Sequence, residues 1–388
     1  MKILYCTDSP LYYKDNRYFA LGLEFILERY YNSFGRMVVF CRTYEMKEDL
    51  PYIDVTRYVD KVIHSSGHKD AFAPSNALIN KLKSSLSETD LLVLRKPTIL
   101  GTLAYRYAQK MQIPLLVELM GDPWDAYWNH GLIGKLIAPY ITWQTKRITQ
   151  RANYAHYVTS EFLQQRYPCN CISVNASNVR WEDLSDRILA ARLEKIKKIN
   201  SSGFPNDISL MTTAAVNVAH KGHEWVIKAI PALLQRGINV TYYMAGAGDQ
   251  TRLQKIAQKL GVDDHIIFLG RLSHIDVSEW LDKIDIYIQP SLQEGLPRAT
   301  IEALSRGCPC LGARTGGIPE LLDPECVFDR RSPKDIVRAI SQLKERGLTY
   351  YAKRNFERAK EFAYPKITER MSRFYQIIKD ELEHRTGK

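Results

Sequence analysis

Several absences narrow this sequence before any motif is considered. No apolar run approaches the ~20 residues needed to span a bilayer, and the opening MKILYCT lacks a signal-peptide plan and reads as a first strand. Cysteine occurs at seven positions, 6, 41, 169, 171, 308, 310 and 326. The odd count and the C-x-C spacing of two pairs fit neither a disulfide framework nor a zinc finger. Buried thiols in a reducing, cytoplasmic compartment are the expectation. The net charge is +11, yet no zinc-finger, basic-zipper or RNA-recognition signature accompanies it, so nucleic acid is not an expected partner. Anionic substrates or an anionic membrane surface remain. There is no low-complexity tract, tandem repeat or D-x-D metal motif, and 126–160 contains no acidic residue.

What is present suits a soluble globular chain: 45% hydrophobic and 25% charged over 388 residues, long enough for two domains. The first half alternates strand-like runs (2–7, 37–41, 91–94, 115–119, 154–159, 172–174) with helical spacings (17–30, 76–86, 100–111). The second half does the same, with strands at 208–213, 240–244, 266–269 and 284–288. Apolar strands separated by helices imply βαβ units and parallel sheets covered on both faces. The polar stretch 175–186 reads as the crossing, dividing a domain 1–178 from a domain 179–365. A final helix, 366–388, returns to the first domain.

Ligands bind where loops leave the carboxyl edges of such sheets. In the first half those loops are 8–17, 95–97 and 120–124. Asp122 follows a buried strand, so it either faces the crevice or caps the turn before Pro123. The segment GLIGKLIAPYITWQTKRI (131–148) is apolar first and basic later. It reads as a core helix interrupted at Pro139, because Leu132, Ile133, Leu136 and Ile137 suit a core. The alternative is a membrane-interface helix.

The richest stretch is 289–322. A strand ends in QPS, a loop carries Glu294 and Gly295, Pro297 opens a helix that contains Glu302, and Gly307 ends it before the strand CPCLGA. The loop-to-helix junction is an anion site, because free N–H groups and the helix dipole point outward. Three other pieces reach the same edge: VNVAHKG (216–222), whose Lys221-Gly222 suits a diphosphate; AGAGD (245–249), with Gly246; and LGRL (269–272), with Arg271 and Leu272.

EGLPRATIEA (294–303), followed by GCP (307–309) and GGIPE (316–320), resembles the Glu-x7-Glu signature of glycosyltransferase family 4, the retaining GT-B enzymes. HKGHEWVIKAI, MAGAGD and FLGRL are similar to the family's preceding blocks. The match is dense from about 208 to 345. In the first half, YVTSEFLQQRYP and GDPWD resemble bacterial capsule and exopolysaccharide enzymes. The resemblance implies two Rossmann-like doubly wound domains facing across a cleft, and a cytoplasmic enzyme, peripheral on the inner face of the membrane. Its donor would be a UDP- or GDP-linked sugar, with no metal and no cofactor, and its acceptor a glycan or lipid-linked glycan. By the same resemblance Glu302 would hold ribose and Glu294 the donor sugar. Gly295, Leu296, Pro297 and Arg298 would cradle sugar and phosphates, and Gly246 would lie in the donor site. Lys221 would neutralise the leaving diphosphate, Arg271 and Leu272 would lie near the base, and Asp122 would face the site from the acceptor side. Two positions depart from the pattern: Val216 stands where a second phosphate-binding arginine is usual, and Gly121 where histidine is usual. Alternatives are a small soluble acceptor, or a catalytically idle subunit that binds a partner.

Overall fold

The computed structural model describes residues 1–47, 50–179, 184–199 and 207–386. The part of the expected crossing (175–186) that carries the numbers 180–183 lies outside the described residues.

The most apolar runs form the centres of two sheets, as strands buried on both faces require. In the first half these strands are β1 (Ile3–Cys6), β2 (Leu11–Lys14), β3 (Arg17–Ala20), β4 (Met37–Glu45), β5 (Ile53–Asp54), β6 (Val59–Ser65), β7 (Leu91–Lys96), β8 (Leu115–Leu119), β9 (Tyr154–Tyr157) and β10 (Ile172–Asn175). The parallel body runs β10-β9-β8-β7-β1-β4, with β6 also on β4. The second half adds β11 (Asp207–Thr213), β12 (Asn239–Ala245), β13 (Ile266–Gly270), β14 (Ile286–Gln289), β15 (Cys310–Ala313) and β16 (Val327–Phe328). They lie in the order β13-β12-β11-β14-β15-β16, every pair parallel. Each sheet reverses its winding beside its first strand, between β1 and β7 and between β11 and β14. Those switch points open the crevices in which α/β proteins bind ligands. The C-terminal helix Tyr364–Thr386 buries Ile367, Met371, Phe374 and Ile378 against the same cluster as Ile3, Tyr5 and Tyr30 of the first sheet.

Four expectations fail here. The stretch 17–30 is not one helix: its first residues are β3, and the helix is Glu24–Phe34. The loop expected at 8–17 is a hairpin, with Lys14 paired to Arg17. Its two turn residues, Asp15 and Asn16, have φ 49° and 57°, the geometry of a type I′ turn that these residue types tolerate. Pro139 does not interrupt its helix, which runs unbroken over Gly131–Gln150. Pro139 is exposed, so the carbonyl it leaves unpaired can meet water. That helix is also no core helix on its apolar side, because Leu132, Ile133 and Leu136 all face solvent.

Candidate active site

Short turns that only glycine permits assemble the site. Gly222 has φ +79°, and a Cβ there would lie 2.0 Å from the Pro290 carbonyl oxygen. The Lys221 turn can therefore sit directly on the loop after β14. Gly316 has φ +54°, and its Cβ would lie 2.3 Å from the Glu294 carbonyl oxygen. The next residue, Gly317, donates its N–H to the Gly295 carbonyl at 2.6 Å. Turns from both sides thus hold the Glu294 loop.

Held this way, Glu294 Oε1 accepts from Lys221 Nζ at 2.8 Å and from Gln289 Nε2 at 3.1 Å. The pair opens onto a cleft of about 470 Å³ whose lining includes Lys221, Leu272, Glu294, Gly295, Leu296, Pro297, Arg298 and Glu302. The helix Arg298–Ser305 starts at the cleft with Pro297 in the capping position. Its first N–H groups and its dipole therefore face the cavity. Glu302 lies one turn further in. Its carboxylate makes no hydrogen bond among the described residues, and burial raises its pKa against the opposing charges of Arg298 and His274. It is a carboxylate whose acceptor oxygens have no hydrogen-bond partner among the described residues.

Eight expected residues therefore share one wall. Three do not line it. Arg271 is exposed outside the cleft. Gly246 serves close packing of two loops: a Cβ there would lie 2.0 Å from the Ala214 carbonyl oxygen, and its N–H donates to the Gly270 carbonyl at 2.8 Å. Asp122 is 3% exposed and caps the helix Pro123–Trp128, accepting from the Trp124 N–H at 3.0 Å. It also accepts from the Tyr167 hydroxyl and lies 3.0 Å from Arg166 Nε. Of the two readings open for Asp122, the geometry is that of the cap.

Other residues were not singled out by the sequence. Thr213, Gln289 and His274 also line the cleft; each sits at a strand end or helix start, a position with no distinctive motif. Val216 is 1% exposed in the core, so no second phosphate clamp stands there. Burial, Lys221 and His130 push the pKa of His220 below the ordinary value, with Glu294 opposing. Arg298 lines the cleft together with Lys221.

The two halves meet through backbone as much as side chains. A Cβ on Gly295 would lie 2.0 Å from the Met120 carbonyl oxygen. Arg330 Nη1 lies 3.0 Å from Asp125 Oδ1. The helix Phe162–Arg166 has no cap from the side chain of its own N-cap residue, Glu161. Instead the Glu320 carboxylate, from the opposite half, accepts the N–H groups of Ser160 at 2.6 Å, Phe162 at 2.7 Å and Glu161 at 3.2 Å.

Two parallel, doubly wound sheets with this cleft between them are the GT-B glycosyltransferase fold. Residues 207–346 match the family described as Glycosyl transferases group 1. Protein CapJ of Staphylococcus aureus is 30% identical over 356 residues, which cover 87% of this chain and 84% of CapJ. The chain belongs to the group 1, GT4-type glycosyltransferase family. Among solved structures, sucrose-phosphate synthase from Thermosynechococcus elongatus superposes with a TM-score of 0.68 at 15% identity, covering 98% of this chain and 99% of that one. Anabaena Alr3699/HepE in complex with UDP-glucose superposes with a TM-score of 0.62 at 16% identity, covering 97% and 99%. At such identities the likeness shows the fold alone.

Proposed function

We propose that this chain is a retaining glycosyltransferase of surface polysaccharide synthesis. It moves a sugar from a UDP- or GDP-linked donor to a hydroxyl of a glycan or lipid-linked acceptor, at the cytoplasmic face of the membrane. The observation that carries this reading is the Lys221–Glu294 pair at 2.8 Å, opening on one cleft with the unpartnered Glu302 carboxylate. HepE was solved with UDP-glucose, which supports the choice of a nucleotide-sugar donor.

In this reading Glu302 accepts the ribose hydroxyls. Lys221 leaves Glu294 for the diphosphate, and Glu294 is released to the hydroxyls of the transferred sugar. As the bond from the anomeric carbon to the diphosphate oxygen breaks, its electron pair goes to the diphosphate. Lys221, Arg298 and the N–H groups at the start of Arg298–Ser305 stabilise that charge. The acceptor hydroxyl attacks from the same face and its proton passes to the departing diphosphate. Protein groups, not a bound metal, carry the charge in this scheme.

A thermal-shift panel of UDP-, GDP- and ADP-sugars identifies the donor, since the bound nucleotide stabilises the fold by mass action. Donor hydrolysis and transfer are expected to fall by about 100-fold or more in Glu294→Ala and Lys221→Ala. Normal hydrolysis in both variants removes the reading.

A further inference from the structure

The helix Gly131–Gln150 turns its large apolar side chains away from the protein. Its buried side is mostly small: Gly134, Ala138, Thr145 and Thr149, with Ile141 and Ile148. Outward point Leu132, Ile133 and Leu136, at 79%, 74% and 81% exposure, followed by Tyr140 and Trp143. Helical spacing places 132, 136, 140, 143 and 147 along one face. The edges of that face are cationic. Lys135, Lys146, Arg147 and Arg151 are all exposed, the Arg147 guanidinium lies 5.0 Å from the Trp143 ring centre, and no acidic residue occurs between 126 and 160.

We infer that this helix is a docking element that lies in the interface of an anionic lipid bilayer. Leu132, Ile133 and Leu136 enter the acyl boundary, Tyr140 and Trp143 sit at headgroup depth, and Lys146, Arg147 and Arg151 meet anionic headgroups. The helix lies on the membrane; no described helix is long and apolar enough to cross one. Charge favours a bilayer over a second copy of the chain. A two-fold pairing of this face would set its cationic edges against one another, with no carboxylate in the segment to meet them. The helix also begins at the rim of the cleft. The His130 ring centre lies 5.5 Å from that of His220, which adjoins Lys221, and the Asn129 amide donates to the Leu292 carbonyl at 3.4 Å. An acceptor held in the leaflet would reach the cleft without leaving the surface; this last step rests on the proposed lipid-linked acceptor, whereas the docking does not.

The test is flotation of the full chain with vesicles of phosphatidylcholine alone and of phosphatidylcholine with an equal part of phosphatidylglycerol. The protein is expected to float with the anionic vesicles only. Two variants, one with Leu132→Asn, Ile133→Asn and Leu136→Asn and one with Lys146→Gln, Arg147→Gln and Arg151→Gln, should each lose about 10-fold or more in vesicle affinity. All six side chains are solvent-facing, so melting temperature and the nucleotide-sugar thermal shift should not change. Absence of flotation, or flotation unaltered in both variants, overturns the inference. A concentration-dependent dimer that the first variant dissolves would assign the face to a second copy instead. Vesicle binding without donor hydrolysis would sink the proposed function and leave the docking element standing.

Discussion

The two walls of the cleft use the same residue types in opposite ways. On the wall proposed to take the donor, Glu302 has no side-chain hydrogen bond among the described residues, and Glu294 is held chiefly by Lys221, a cation that also opens onto the cavity. On the facing side, two buried carboxylates, Asp122 and Glu118, are already engaged. Asp122 is engaged by Trp124, Tyr167 and Arg166. Glu118, three residues from the end of the Met120-Gly121 edge and fully buried, accepts from Tyr5 at 3.0 Å, Tyr30 at 2.9 Å and Arg95 at 3.3 Å. A charged group that waits for a ligand has polar capacity to spare, whereas one that braces a wall has none. The wall with Glu302 and Glu294 therefore keeps charge to spare for a ligand, whereas the facing side is braced.

Perturbing both walls tests that contrast, and the largest effect is expected at Lys221. Lys221→Ala should lower kcat by about 10²–10³, the usual cost of losing one group that stabilises transition-state charge, measured as initial rates at saturating donor. Asp122→Asn should instead lower the melting temperature; a kcat loss as large as that of Lys221→Ala, with stability intact, would break the comparison. Beneath the donor wall, burial pushes His223 down to about 4, against the backbone carbonyls of Ala214 and Ala215. The unfolded chain takes up this proton near pH 6.5 and the folded one only near pH 4. Stability from this site is thus complete above pH 6.5 and declines as pH falls towards 4, by about 3 kcal/mol in all. Urea titrations of the protein and of His223→Gln across that window check the sign, since the variant should lose the slope.

Glu302→Ala should raise the donor KM about 10- to 100-fold, as expected for lost hydrogen bonds to a charged group, with a much smaller change in kcat. A kcat effect without a KM effect would move Glu302 from ribose to the reacting sugar. Gly246→Ala should destabilise the second half by about 1–3 kcal/mol through overpacking, seen in the urea midpoint; a change in donor KM alone would restore it to the binding wall. The smallest effect is expected from Glu320→Ala. It removes a cap worth about 1 kcal/mol and should loosen the two halves, read as a larger radius of gyration in small-angle scattering.

The legible parts of this protein are those written in local pattern. The buried strand runs, the helix after Pro297 and the two carboxylates eight positions apart are all visible in 284–313, because apolar periodicity and helix-start chemistry are short-range. The turn at Asp15-Asn16 was equally local and readable, and was masked by the helical spacing that follows it. Asp122 was not decidable in the same way. Its sequence neighbours allow cap or catalyst, and the partner that engages it, Tyr167, lies 45 residues away. The helix 131–150 shows the limit most plainly, since one stripe of Leu and Ile serves a core or a membrane alike until its neighbours are placed.

By itself, then, the sequence determined the alternation of strand and helix, the loops that reach the carboxyl edges, and the set of charged groups available there. Strand period, the right-handed crossover and glycine's conformational freedom are properties of short segments. Only the tertiary structure decided which of those groups remain unsatisfied and which face is left bare. Glu320 caps a helix 160 residues earlier in the chain, and Leu132 and Leu136 find no cover. Satisfaction and burial are relations between distant segments, and no local pattern encodes them.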